Sequence, residues 1–177
     1  IVLSVALLTA VASMFFSAKD SLIKFEKERN GNYHWNFQKV PIENISDFKE
    51  NRKIENINIV KSLGYDYLAG SKNKYKPYIN IIAYSKKAMD NLAINMVEGR
   101  LPENENEIII SQHTDTNGGV KFECGEKITL NIGKRILEGE ELNQNNPYQP
   151  EENEQIVDAK EHTYTIVGIM ERLDHKI

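Results

Sequence analysis

The sequence predicts an α+β fold, a mixed β-sheet with short helices carried on an N-terminal membrane-stalk helix. Residues 1–16, IVLSVALLTAVASMFF, contain no charge, no Pro and no Gly. From residue 32 onward, stretches with an apolar residue at every second position alternate with shorter ones whose apolar residues lie three apart. These are the signatures of half-buried strands and of helical turns. Gly, Pro and Asn separate the stretches, so each element is short.

Residues 1–16 fall about one turn short of the roughly 20 apolar residues that cross a bilayer. They fit a buried core helix, the h-region of a secretion signal, or the truncated end of a transmembrane helix. The last is favoured, because only Ser4, Thr9 and Ser13 interrupt a surface on which a soluble helix would show a polar stripe, and no Met or basic n-region precedes it. Residues 17–31 read as a stalk helix, with Leu22, Ile23 and Phe25 on one face, Lys24, Glu26, Lys27, Glu28 and Arg29 around them, and Asn30-Gly31 as its stop. It either continues the first segment or starts anew with Ser17 or Asp20 as its cap.

Residues 32–177 are the core domain. In YHWNFQKV, Tyr33, Trp35 and Phe37 alternate with His34, Asn36 and Gln38, predicting a half-buried strand. PIENISDFKENRK opens on Pro41 and spaces Ile45 and Phe48 by three, predicting a short helix. IENINIVKSLGYDYLAG breaks at Gly64 and Gly70 and predicts one or two strands with a hairpin, followed by a strand in YKPYINIIAYS and a short helix in KKAMDNLAI. NEIIIS is apolar enough for a central strand buried on both faces. In KITLNIG, Ile128, Leu130 and Ile132 alternate with polar residues, and TYTIVGIM is the strand expected to pair with it. Between them lies a polar insertion at about 134–161, rich in Glu, Asn, Gln and Pro, expected to be mobile or to form a polar hairpin tip.

Composition excludes several functions. A net charge of −4 offers nucleic acid no basic field. The single cysteine, Cys124, allows neither an intrachain disulfide nor a paired-thiolate metal site, and reads as a packing residue. His34, His113, His162 and His175 lack the spacing that sets two imidazoles on one helical face. HTDTNGG lacks the alternating oxygen ligands of a calcium loop and reads as an Asx-rich turn. No G-x-S-x-G and no G-x-x-x-x-G-K-[ST] phrase occurs, so ATP hydrolysis would belong to another chain. Glu140, Glu141, Glu151 and Glu152 lie in the polar insertion as a solvated surface, and the basic run at 72–76 reads as a solvated loop or a contact for anionic head groups.

The stretch EGRLPENENEIIIS sets a rigid corner before an apolar strand. Gly99 permits a backbone angle closed to other residues, and Pro102 fixes φ. Arg100 is placed to pair with a carboxylate such as Glu107 or with backbone carbonyls, locking the turn. The corner is thereby expected to aim a central strand, as structure and not as a ligand site.

This phrase, followed by GEKITLNIG and YTIVGIM, resembles the extracytoplasmic, MacB-like periplasmic core domain of FtsX-like and MacB-like ABC transporter permeases. The matching positions are Gly99, Arg100, Leu101, Pro102, Asn106, Glu107 and Ile108 to Ser111, then Gly125 with Ile128 and Leu130, then Tyr164 to Ile169 with Val167, Gly168 and Ile169 as its VGI phrase. The resemblance spans nearly the whole chain and implies a βαβ-type, porter-like core after a first transmembrane helix. It implies a permease subunit and not an enzyme, with no catalytic, cofactor or metal residues to carry over. It further implies an ATP-binding cassette ATPase as partner, a second permease copy or sister permease, and a place on the extracytoplasmic side of the cell membrane. The role would be efflux of peptides or antibiotics, or lipoprotein or cell-wall work, with the cargo open. The Asn-, Lys- and Ile-rich composition suits an AT-rich Gram-positive bacterium. The alternative is a membrane-anchored extracellular binding module without transport; a stand-alone enzyme would need a convergent cluster of titratable groups that the sequence does not supply.

Overall fold

The computed structural model describes residues 2–92 and 94–172. They fall into two compact units. The first holds the residues up to Ile57 and a short stretch from Lys87, the second Asn58–Lys86 and Ile94–Arg172.

In the first unit, α1 (Val2–Asn30) runs without a break at Ser17, so the apolar and charged segments share one helix. Leu3, Leu7, Leu8, Met14 and Phe15 are all exposed. By length and composition Leu3–Lys27 is able to cross a membrane, so the helix is compatible with a membrane anchor. It ends where the sequence predicts, with Gly31 at φ +88 donating its N–H to the Lys27 carbonyl at 2.9 Å. A 3-10 turn (Ile42–Asn44) leads into α2 (Ile45–Glu50), the helix predicted after Pro41.

The strand predicted over YHWNFQKV does not form. Alternation prepares a chain for a sheet, but a strand exists only against another backbone, and none of the described residues supplies one. Lys39 also adopts φ +55, which interrupts an extended path. Trp35 is 81% exposed, while the Phe37 ring settles on Phe48 with centroids 5.1 Å apart.

The second unit is a curled, mainly antiparallel sheet. Its strands are β1 (Val60–Tyr67), β2 (Tyr78–Tyr84), β3 (Met96–Gly99), β4 (Glu107–Ser111), β5 (Lys127–Leu137), β6 (Glu140–Leu142) and β7 (Gln155–Met170). The short helix α4 (His113–Thr116) follows β4 in this unit, whereas α3 (Lys86–Asn91), which follows β2 in sequence, belongs from Lys87 onward to the first unit. The order is β2-β1-β5-β7-β3, with β4 parallel to β7 and β6 paired to β5. KITLNIG and TYTIVGIM pair as expected, with Ile128 opposite Tyr164. Ile81, Leu130 and Ile132 form the core, with Ile79, Ile108, Ile128 and Tyr164 packed against it.

Gly64 does not end a strand; at φ +132 it sits beside a bulge within β1, so IENINIVKSLGYDYLAG carries one strand and no hairpin. NEIIIS is not central: β4 pairs with β7 alone among the described residues, and only Ile110 of its isoleucines is buried. Its apolar character serves packing from an edge. The stretch 134–161 is not a mobile insertion but holds a hairpin tip: β5 runs to Leu137, β6 turns back on it, and β7 starts at Gln155, leaving 143–154 as the loop between. Glu138 and Gly139, at φ +51 and +89, close the β5–β6 turn in the doubly left-handed form that matches strand twist.

The bulges bend the sheet. Ile132 pairs with Lys160 but Lys134 with Val157, the extra residue falling where Asp158 adopts φ +53. Tyr65 pairs with Gly133, next to Gly64. The bulges of β1 and β7 thus fall close together on either side of Gly133 in β5, which coils the sheet.

Candidate functional site

The corner singled out by the sequence is built against β7. Gly99, at φ +75, pairs with Gly168. A Cβ on Gly99 would meet the Val167 carbonyl, the Gly168 Cα at 2.8 Å and the Cys124 Sγ at 3.0 Å. One on Gly168 would lie 2.6 Å from the Arg100 carbonyl. Two glycines therefore let two backbones touch. The Arg100 N–H donates to the Val167 carbonyl at 3.0 Å, the residue that β4 skips in its ladder with β7.

The Arg100 guanidinium grips Glu107 with both terminal nitrogens, Nη1 to Oε2 and Nη2 to Oε1, each at 2.7 Å. This bidentate pair spans the turn from β3 to β4. Nη1 also donates to the Leu101 carbonyl at 3.0 Å, and the Glu103 N–H donates to Glu107 Oε2 at 2.9 Å. The Arg100 bonds first, and the Glu103 amide next, hold the Glu107 carboxyl down at about 2. Leu101 and Pro102 are half-buried between these partners in sequence.

The remaining motif residues meet the same stretch of β7. The Asn106 carbonyl accepts from the Thr165 N–H at 2.8 Å. The Gly125 N–H, at φ +94, donates to the Ile166 carbonyl at 2.7 Å, and the Ile166 N–H donates to the Glu126 carbonyl at 2.8 Å. Ile169 pairs with Glu98 on one side and Ile110 on the other. Gly99, Arg100, Asn106, Glu107 and Gly125 are thus gathered on Thr165–Ile169. Chemically the corner is closed, because its two charges satisfy each other and it offers no activated nucleophile. Burial first, and then the Glu98 charge, push the Cys124 thiol up, away from the reactive thiolate.

A second cluster escapes the sequence reading. Arg135, on β5, is 4% exposed and Glu154, at the end of the loop before β7, 7%. Arg135 Nε donates to Glu154 Oε1 and its Nη2 to Oε2 at 3.0 Å. Its Nη1 and Nη2 donate to the Asn143 and Asn146 carbonyls at 3.1 and 3.2 Å. The guanidinium lies over the Tyr65 and Tyr78 rings, 5.2 and 4.9 Å from their centroids. Burial opposes the charge, but the Glu154 hydrogen bonds and charge and the two tyrosines more than offset it, so Arg135 stays above its ordinary value. The cluster pins residues 143–154 onto the sheet, assisted by Tyr148 edge-on to Tyr78 and by Asn80 donating to Gln144 at 3.3 Å. Alternation along β5 places Arg135 with Gly133 on the face opposite Leu130 and Ile132, the face of Tyr65 and Tyr78, and the sequence of β5 does not show that residues 143–154 cover that face.

Elsewhere the residues remain dispersed. His113 Nε2 is enclosed without a hydrogen-bond partner, and burial, with Arg172 and Lys76 nearby, lowers its pKa. HTDTNGG forms the short helix α4 and its exit turn at the two glycines. His162 stacks on Tyr164 at 6.2 Å, His34 is exposed, and His175 lies outside the described residues. The basic run is a turn tied down by Asn73 Nδ2 donating to Asn117 Oδ1 at 3.1 Å. Glu141 pairs with Lys134 at 2.7 Å, while Glu140, Glu151 and Glu152 are exposed. Among the described residues no group of three or more His, Cys, Asp or Glu is placed to hold a metal ion.

Comparison with family models, with curated proteins and with solved structures returns no match.

Proposed function

We propose that this chain is the extracytoplasmic domain of an ABC transporter permease subunit of the FtsX-like and MacB-like kind, held outside the cell membrane of a Gram-positive bacterium. The observation that carries the reading is the convergence of the motif. Gly99 to Glu107 and Gly125 are far apart in sequence from Thr165 to Ile169, yet they form one joint along β7. A joint closed by glycine-to-glycine contact and a bidentate ion pair resists bending, which is what a domain that relays motion requires. The continuous helix α1 adds a connection suited to that role, because an apolar segment and a charged one share a single helix.

In this reading a separate ATP-binding cassette subunit hydrolyses ATP, a second permease copy or a sister permease stands beside this one, and this chain carries no catalytic residue and no cofactor. Its work is export or mechanical transmission outside the membrane.

The test is a mild-detergent purification of the native protein from its membranes, with mass spectrometry of what accompanies it. A stoichiometric partner with a G-x-x-x-x-G-K-[ST] phosphate loop is the expected result. Purification without any ATP-hydrolysing partner would overturn the permease reading and leave a tethered binding module.

A further inference from the structure

β2 (Tyr78–Tyr84, YINIIAY) ends the sheet order and pairs, among the described residues, with β1 alone. The bonds at its two ends show which backbone groups that ladder uses. The Ser85 N–H donates to the Ile59 carbonyl at 3.0 Å, and the Pro77 carbonyl accepts from the Leu68 N–H at 2.7 Å. Backbone groups along a strand point alternately to its two sides. The irregularity between Ser62 and Gly64 lies in β1, so alternation in β2 is unbroken. Residues 77, 79, 81, 83 and 85 therefore face β1, and the N–H and C=O groups of Tyr78, Asn80, Ile82 and Tyr84 face outward. None of these four residues has an outward backbone partner among the described residues.

Native sheet edges are usually protected by Lys, by Pro, by a bulge or by brevity. β2 has none of these: it is seven residues long, uncharged and regular, and five of the seven are Ile or Tyr. Its faces are already engaged, by Ile79 and Ile81 in the core and by Tyr78 beneath Arg135. What has no partner strand among the described residues is the edge itself, in a strand whose composition is that of a sheet interior.

We infer that this edge pairs antiparallel with the same edge of a second copy of this chain. The four outward residues are symmetric about Ile81. A two-fold axis there sets Tyr78 opposite the partner's Tyr84 and Asn80 opposite the partner's Ile82, and leaves no outward group of the strand unpaired. An interface of this type always opposes a surface to itself. A strand without charge meets no like-charge repulsion across its axis, and the tyrosine pairs at its two ends are favourable neighbours. The inference names the surface used by the second copy in the permease reading, and rests on that reading only in placing the copies in one membrane plane.

The experiment measures the oligomeric state of the full 177-residue chain in detergent, by sedimentation across a range of concentrations, for the parent, Ile82→Pro and Ile82→Lys. The Ile82 N–H faces away from β1, so Pro at this position leaves the β1–β2 ladder intact while removing an outward donor. Lys puts charge on the edge without touching the backbone. The parent is expected to be a dimer that dissociates on dilution. Both variants should dimerise at least about tenfold more weakly with an unchanged melting temperature. A monomeric parent, or variants that dimerise like the parent, would overturn the inference; the latter places association on another surface such as α1. If Ile82→Pro unfolds, Ile82→Lys decides alone. No ATPase subunit is needed, so the outcome is independent of whether one co-purifies.

Discussion

Replacing Glu154 with Ala strands the Arg135 guanidinium inside the second unit. The two side chains are 5% and 1% exposed, so water screens the pair little. Removing one partner of such a pair leaves a buried charge uncompensated and costs about 3–5 kcal/mol. Arg135 would keep the Asn143 and Asn146 carbonyls and both tyrosine rings, which places the cost toward the lower end, about 3 kcal/mol. For a chain of this size that lowers the melting temperature by roughly 6–12 °C. The probe should be the near-UV circular dichroism of tyrosine, because Tyr65 and Tyr78 lie against Arg135, whereas Trp35 belongs to the other unit. The double variant Arg135→Met with Glu154→Leu removes both charges at similar volume, and is expected to melt within about 1 kcal/mol of the parent or above it. A Glu154→Ala protein melting within about 2 °C of the parent would refute the reasoning. So would a double variant as unstable as the single one, because the loss would then come from packing and not from a stranded charge.

The corner answers to acid. Glu107 titrates at about 2 in the fold against 4.5 ordinarily, so its contribution is full above pH 4.5 and declines as pH falls from 4.5 to 2. The melting-temperature gap between the parent and Glu107→Gln should narrow across that window; a constant gap would contradict the pairing. Gly125→Ala, where a Cβ meets open space, should cost about 1–2 kcal/mol for its left-handed backbone alone. Gly99→Ala adds contact with the Val167 carbonyl and Gly168, so its denaturation midpoint should fall further, by roughly another 1–3 kcal/mol. Arg100→Ala should lower the melting temperature, and Pro102→Ala should cost about 0.4–1 kcal/mol through the freedom it returns to the unfolded chain. If neither variant shifts the melt, the corner is not what stabilises the junction of β3 and β4.

Local chemistry was legible wherever one segment suffices to decide it. Gly31 stops α1, Pro41 precedes a helix, and alternation in KITLNIG and TYTIVGIM marks two strands, because caps, φ restrictions and side-chain periodicity act within a few residues. The Arg100–Glu107 pair was also within reach, since both residues belong to one turn. YHWNFQKV carries equally good alternation and still fails to become a strand, because pairing depends on a backbone from elsewhere.

By itself, then, the sequence determined an α+β fold behind an apolar helix and placed a rigid turn before β4, since composition, periodicity and backbone restriction are properties of short stretches. Only the tertiary structure decided that β4 lies at an edge, that strands β5, β6 and β7 occupy both ends of residues 134–161, that Arg135 is buried against Glu154, and that β2 pairs along one edge only among the described residues. Each of these depends on strand register and on where bulges fall. A shift of one residue exchanges the faces of a strand, and nothing within the strand's own sequence reports the shift.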